Sequence, residues 1–388
     1  CKKRLEIFLK SCIFLIRNMA EYRKSPTINE MLDLLRRGRV ELPPLSLHRI
    51  EAEPQVGAVR RSDVLIEASW KRGKKARFLV ECKALSTPKA FQAGVNQLKT
   101  VTLSRGTFPM LFLPFLSESQ LQELEREGIS GVDLCGNGVV IVPGAFSVFR
   151  TGGKTRFLSS APIKNIYKRN SSLVARVFLL RSSFTAVQEI GAEINGLNLL
   201  ASRWGKKPMS LSTVSKALKT LEEDLIISRN ETIRLVQPDK LLEALERNFI
   251  SPAIREKVRL KVAAEGDALQ DTLAALSREL VLPFVATGLS SVSQYAAMQR
   301  GGVLSVYCPR LEGLLERLGG SQGDRFPNLE LLETDDETVY FDARPAGRFL
   351  WASPIQVYLE LMAGDKRDRE TAGQVRSLIL DGIAKVEK

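Results

Sequence analysis

The chain has 388 residues, 44% hydrophobic and 26% charged, and a formal net charge of +13. That composition belongs to a folded globular chain of about two or three domains and excludes a disordered or fibrous one. The positive surplus favours a polyanion as partner. A single histidine, His48, excludes a His-rich metal site and a Ser-His-Asp triad elsewhere, and five scattered cysteines without a C-x-x-C pair exclude a zinc ribbon or disulfide framework and fit a reducing cytoplasm.

Residues 1–18 imitate a secretory signal, but Lys10 interrupts their apolar stretch and no small-residue cleavage site follows. They read as an extension ahead of a start at Met19, and a first domain is expected over 19–158. No apolar run reaches the ~18 residues of a membrane span. Thr27 to Arg37 places Ile28, Met31, Leu34 and Leu35 on one helical face, with Thr27 as N-cap and Gly38 as stop. Glu30 on that helix is either part of a solvated face or a supporting metal ligand. Leu45 to Val56 reads as the first strand, turning at Gly57 towards Asp63.

Two apolar, β-branched runs, Val64 to Trp70 and Phe78 to Cys82, flank the charged loop Lys71-Arg72-Gly73-Lys74-Lys75 and predict a β-hairpin. Centred on Arg72, it pairs positions whose numbers add to 144, so Asp63 faces Glu81. Opposed Cβ atoms lie about 5 Å apart, close enough for two carboxylates to share a divalent cation. Strand alternation puts Glu81 and Lys83 on one side and Cys82 on the other. Paired carboxylates suit Mg2+, which keeps its waters and meets phosphate oxygens; an adjacent lysine orients the nucleophile or shares developing charge.

An Asp, a hairpin and then Glu81-Cys82-Lys83 resembles the PD-(D/E)xK restriction-endonuclease-like pattern, with Ser62 in place of the usual proline. The resemblance implies a mixed sheet, catalytic roles for Asp63, Glu81 and Lys83, and a Mg2+ ion on Asp63 and Glu81. The competing reading is an ordinary surface salt bridge, worth about 0–1 kcal/mol. Phe78-Leu79-Val80 argues against it, because so apolar a strand lies inside a sheet, where a charge needs a reason. A nuclease fold kept only for DNA binding is a further alternative.

Pro88 opens a helix over Lys89 to Leu103, on which Gln97 is either an active-site glutamine of the kind several nuclease branches carry or a plain surface residue. Pro109 to Leu116 is a buried strand, Ser117 caps a helix over Glu118 to Glu127, and two short strands flank Gly136-Asn137-Gly138. The block Gly128-Ile-Ser-Gly-Val-Asp-Leu-Cys-Gly-Asn137 resembles the "Asp-Leu-Ala-Gly-Asn" block of the AbiEi antitoxin family of type IV toxin–antitoxin systems, with Cys135 replacing alanine. Asn137 suits a turn, and Asp133 is a secondary active-site candidate.

Arg150 to Arg169 is Gly/Ser/basic and reads as a linker. Helices are expected over Ser171 to Arg181 and Thr185 to Ile194, followed by an insert around Trp204. Ser210 caps a helix whose buried stripe is Val214, Leu218, Leu221 and Leu225. Its other face carries Ser212, Thr213, Ser215, Lys216 and Lys219, small hydroxyls backed by lysines, as a helix in the DNA major groove needs. Ile226 to Val236, turning at Asn230-Glu231, makes a two-stranded wing with Arg229 and Arg234 in reach of phosphate. This resembles a winged helix-turn-helix over 159–250, where the AbiEi family has one; a helical linker with a polar face is the alternative. Leu241 to Leu276 reads as helical, and strands are expected at Val303 to Tyr307 and Val339 to Phe341. The segment 251–388 reads as a helical connector and a C-terminal α/β domain, whose part from Pro283 on resembles a decayed nucleotidyltransferase, its pair Asp335-Asp336 lacking the Gly-Ser plus Asp-x-Asp spacing of a catalyst.

The expectation is an α/β plus α+β multidomain chain: a restriction-endonuclease-like mixed sheet, a winged helix and a C-terminal α/β domain. Three functions compete. The first is a cytoplasmic, double-stranded-DNA-binding transcriptional regulator of AbiEi antitoxin type, dimeric as such regulators often are. The second is a Mg2+-dependent endonuclease; the third is an antitoxin that neutralises a cognate toxin protein by contact alone.

Overall fold

The computed structural model describes residues 25–37, 40, 42–43, 45–49, 63–70, 74–157, 165–297, 302–319, 321–323 and 326–386. The 1–18 extension, the Gly57 turn and the centre of the hairpin loop lie outside the described residues. The fold is mixed α/β, and the chain divides into two compact units, residues 1–160 and 161–388.

In the first unit, α1 (Ile28–Arg36) begins at a capping box: the Thr27 hydroxyl accepts from the Glu30 N–H, and the Glu30 carboxylate accepts from the Thr27 N–H at 2.7 Å. Seven strands follow: β1 (Ser46–Arg49), β2 (Asp63–Trp70), β3 (Lys74–Cys82), β4 (Thr107–Leu113), β5 (Ser130–Asp133), β6 (Gly138–Val142) and β7 (Phe146–Arg150), in spatial order β1-β2-β3-β4-β5-β6-β7. The β3–β4 and β4–β5 pairs are parallel, the rest antiparallel. Helices α2 (Pro88–Thr100) and α3 (Glu118–Arg126) join the parallel strands.

The sheet is covered on both faces, which is why its central strands read as unbroken apolar runs. On one face Phe78, Val80, Cys82, Met110 and Phe112 pack with Met31 and Leu35 of α1. On the other, Leu111 and Leu113 pack with Phe91, Val95 and Leu98 of α2 and Leu121 and Leu124 of α3. Strand β7 lies in a stretch to which the sequence assigns no element; its half-exposed residues carry too little apolar periodicity to announce a strand.

The second unit starts with α4 (Leu173–Phe178), β8 (Ser183–Phe184), α5 (Val187–Leu197), α6 (Leu199–Arg203), α7 (Leu211–Glu223), β9 (Ile227–Arg229), β10 (Ile233–Leu235) and α8 (Pro238–Arg247). The three strands form an antiparallel sheet in the order β8-β10-β9. The end of α7 is a Schellman turn: Ile226 N–H donates to Leu221 O at 2.9 Å and Leu225 N–H to Glu222 O at 3.1 Å, with Leu225 at φ +60°. That left-handed residue leaves the helix, so Ala217 takes its expected place in the buried stripe beside Val214, Leu218 and Leu221.

A second seven-stranded sheet completes the unit: β11 (Glu256–Lys261), β12 (Val285–Ala286), β13 (Leu304–Cys308), β14 (Ser321–Gln322), β15 (Leu329–Glu333), β16 (Arg344–Ala346) and β17 (Phe349–Trp351), in the order β14-β11-β15-β13-β12-β17-β16. Its helices are α9 (Gly266–Glu279), α10 (Leu314–Leu318), α11 (Glu337–Tyr340), α12 (Pro354–Met362) and α13 (Lys366–Val386). Two expectations are corrected. Leu241 to Leu276 is not continuously helical, because Glu256–Lys261 alternates exposed charges with buried Val258 and Leu260 and joins the sheet as β11. Val339-Tyr340 is helical rather than strand, since Asp336 caps α11 by accepting from the Thr338 N–H. One of the unit's two core clusters joins Leu173, Val177, Leu218 and Leu221 to Tyr340, Phe341, Ile355 and Leu359; the other packs Leu269 and Leu273 of α9 against Val258, Leu260, Val306 and Leu331 of the sheet.

Candidate functional sites

In the first unit the β2–β3 register sets Asp63 opposite Glu81 and Val64 opposite Val80, as a hairpin centred on Arg72 requires. The Glu81 side chain is buried, while Cys82 turns into the opposite core. The Lys83 N–H donates to Phe112 O at 3.0 Å, so the parallel ladder carries Lys83 one residue past β3. Its ammonium, 23% exposed, sits 2.7 Å from Glu81 Oε1. Gln97 closes the group: its Nε2 donates to Glu81 Oε2 at 2.7 Å, and its Oε1 accepts from Lys83 Nζ at 3.2 Å.

Gln97 reaches the strand because α2 lies close on β4. A Cβ on Gly94, one turn earlier, would stand 2.5 Å from Leu111 Cδ1, so any larger residue would force Leu111 or the helix to shift. This spacer carries no chemical signature, and sequence reasoning passed over it. Of the four residues expected at the nuclease-like site, the structure brings Glu81, Lys83 and Gln97 into mutual contact and sets Asp63 across the ladder.

Among the described residues no group of three or more His, Cys, Asp or Glu side chains is gathered for a metal ion. A cation here would rest on the Glu81 carboxylate and on water, with Asp63 at the opposed position of the ladder. Hard oxygen donors few in number fit Mg2+, which dehydrates reluctantly.

Two outlying acids have other roles. Glu30 is engaged with Thr27, whose backbone hydrogen bond lowers the Glu30 carboxyl from its ordinary value. Asp133 is buried and accepts from the N–H groups of Leu116 (2.9 Å), Cys135 (2.7 Å) and Asn137 (2.8 Å) and from Asn137 Nδ2 (2.7 Å). Four donors occupy its acceptor sites, so Asp133 braces the Cys135–Asn137 turn instead of facing a substrate.

In the second unit Ser210 caps α7, its hydroxyl accepting from the Thr213 N–H. Ser212, Ser215, Lys216 and Lys219 lie exposed on one side of the helix and Thr213 is half-buried. Arg234 is exposed between buried Ile233 and Leu235, whereas Arg229, also exposed, lies 3.7 Å from Glu222 and is partly neutralised. The insert around Trp204 has a structural role: it contains α6, and Lys206 beyond it donates to Asp335 O at 2.6 Å and lies 3.4 Å from Glu337. No described helix is long and apolar enough to cross a membrane. Comparison with known protein families, curated proteins and solved structures finds no match to this chain.

Proposed function

We propose that the chain is a DNA-binding transcriptional regulator of the AbiEi antitoxin type, in which α4 to β10 acts as a winged helix and α7 enters the major groove of double-stranded DNA. The observation that carries this reading is the outward face of α7. Two exposed lysines and a row of small hydroxyls stand on a helix whose other side is sealed by Val214, Ala217, Leu218 and Leu221. The element order helix, strand, helix, helix, helix, strand, strand, with the last strand central in its sheet, supports it. Ser212 and Ser215 offer hydroxyls to base edges, while Lys216, Lys219 and Arg234 answer phosphates. A cognate toxin and a second copy of the chain are the protein partners such a regulator would take. Fluorescence anisotropy on a duplex over a salt series tests the proposal; a binding constant indifferent to salt would refute it.

A second reading rests on a different observation, the contact of Glu81, Lys83 and Gln97 at a strand end. A buried carboxylate with a half-buried ammonium is a costly arrangement and suits a Mg2+-dependent endonuclease delivered to DNA by α7. When bound, Mg2+ supplies a water of lowered pKa and positive charge for phosphoryl oxygens. Lys83 holds a positive charge where a phosphate would gather negative charge, and Gln97 keeps Lys83 and Glu81 in place from the helix side. Supercoiled plasmid incubated with Mg2+ or Mn2+, beside EDTA and Glu81→Ala controls, separates the readings. Metal-dependent nicking lost in the variant makes the chain an endonuclease; intact but retarded plasmid leaves it a regulator.

A further inference from the structure

The second seven-stranded sheet borders a cleft of about 990 Å3, at the upper end of the ~300–1,000 Å3 typical of small-molecule sites. Ser290, Ser305, Tyr307, Glu330, Trp351 and Glu360 are among its lining residues.

Glu360 of α12 is held from several sides. Its Oε1 accepts from Tyr307 Oη at 3.0 Å and from Gln356 Nε2 at 2.9 Å, and its Oε2 accepts from the Leu289 N–H at 3.2 Å. The loop at Gly288 packs directly on it: a Cβ there would lie 2.6 Å from the Glu360 carboxyl carbon and would push the carboxylate aside. Burial lifts this carboxyl above its ordinary range against the pull of its donors. A buried, perturbed acid in a cleft wall is a candidate for a functional role.

The charges of the lining are answered within the protein, which selects the ligand. Glu330 Oε1 meets Lys257 at 2.6 Å and Arg259 at 2.9 Å, and its Oε2 accepts from Ser305 Oγ at 3.0 Å. Lys261 pairs with Glu265 at 2.6 Å. An ionic ligand would lose its hydration with no counter-charge waiting. Hydrogen-bonding capacity does remain: Ser290 Oγ accepts from the Ser305 N–H at 3.0 Å and keeps its own proton, and Tyr307 keeps a lone pair. Trp351 and Leu289 add apolar surface.

The wall of the cleft also connects to the helical part of the unit. Gln356 is fully buried; its Oε1 accepts from Arg176 Nη1 of α4 at 2.8 Å while its Nε2 donates to Glu360. Arg176 is itself buried, its guanidinium brought down to about 10 by burial, and its Nε has no hydrogen-bond partner among the described residues. Displacing Gln356 would therefore change the satisfaction of a charge inside α4.

We propose that this cleft is a sensor site for an uncharged ring compound bearing hydroxyl or amide groups, and that its occupancy reaches α4 through Gln356 and Arg176. If α7 binds DNA, this is the route by which such a compound would tune it.

Saturation-transfer NMR on the full chain tests the site, with adenosine, phenyl glucoside and nicotinamide set against the charged counterparts adenosine monophosphate, phenethylamine and benzoate. The expected result is signal from the uncharged set, lost in Val303→Trp, which fills the cleft mouth from an exposed position. Hydrogen exchange of the Leu173–Phe178 amides is then measured with the best uncharged compound. It should shift by about fivefold, and Gln356→Met should remove the shift while leaving the NMR contact. Absence of signal from the uncharged compounds, equal signal from a charged counterpart, or survival of binding in Val303→Trp overturns the site. Unchanged α4 exchange on occupancy overturns the coupling, and should Gln356→Met fail to fold, the wild-type exchange decides alone. Neither measurement involves DNA, so failure of the DNA-binding reading would show separately.

Discussion

Replacing Lys216 and Lys219 together by alanine tests the DNA-facing role of α7 in numbers. Both lysines are exposed, so each ammonium is available to one phosphate. Alanine preserves helix propensity, and the positions lie opposite the buried stripe, so the fold should persist; an unchanged thermal midpoint is the control. Each neutralised phosphate contributes about 0.9 to the slope of log K against log salt, so the double variant should lose about 1.8. Between about 50 and 200 mM salt, wild-type affinity should therefore fall about twelvefold more than that of the variant. Arg229→Ala should change the slope less than either lysine does, because Glu222 at 3.7 Å already offsets its charge. Anisotropy of a labelled duplex at four or more salt concentrations reads these slopes directly. A double variant with the wild-type slope, or an Arg229→Ala loss as large as that of both lysines, would refute the reasoning.

Lys83→Met leaves the Glu81 carboxylate buried with its ammonium gone and should lower stability by about 1–3 kcal/mol, discounted from a fully buried pair because Lys83 is 23% exposed; urea midpoints measure it. Gly94→Ala should cost about 1–3 kcal/mol through the clash with Leu111, although the helix alone would gain up to ~1 kcal/mol, and a stabilised variant would deny the close approach of α2. Tyr167→Phe removes a 2.6 Å hydrogen bond to Asp224, whose carboxyl burial already raises above its ordinary 3.8. Without that bond the folded-state value climbs further. The stability at stake is present below the ordinary value, where Asp224 is protonated folded or unfolded, and is lost as pH rises through the folded value. The cost of Tyr167→Phe should therefore grow with pH, reaching about 1.5–3 kcal/mol at neutrality; a cost independent of pH would show Asp224 uninvolved.

The hairpin and its partner residues were legible in the linear chain because strand pairing is local arithmetic. Two β-branched runs around Arg72 leave one register that buries Ile66 and Phe78 together, and that register sets Asp63 opposite Glu81. The cap at Ser210, the stripe Val214-Leu218-Leu221 and the exposed lysines of α7 are equally local, being helical periodicity plus one side-chain hydrogen bond. What the sequence by itself determined, then, was the elements whose energetics close within about 20 neighbouring residues.

Tertiary structure decided the rest. Gln97 had two equal readings until α2, let down on Leu111 by Gly94, delivered its amide to Glu81 and Lys83. Asp133 looked available until distant Leu116 and nearby Asn137 filled its lone pairs. The strands β8, β12 and β14 are two residues long and carry no period, and they exist because longer partners supply their hydrogen bonds. The chain Arg176–Gln356–Glu360 joins residues about 180 positions apart. No local pattern encodes it, because burial and the low dielectric that make those polar groups need one another arise only when α4 and α12 share one core.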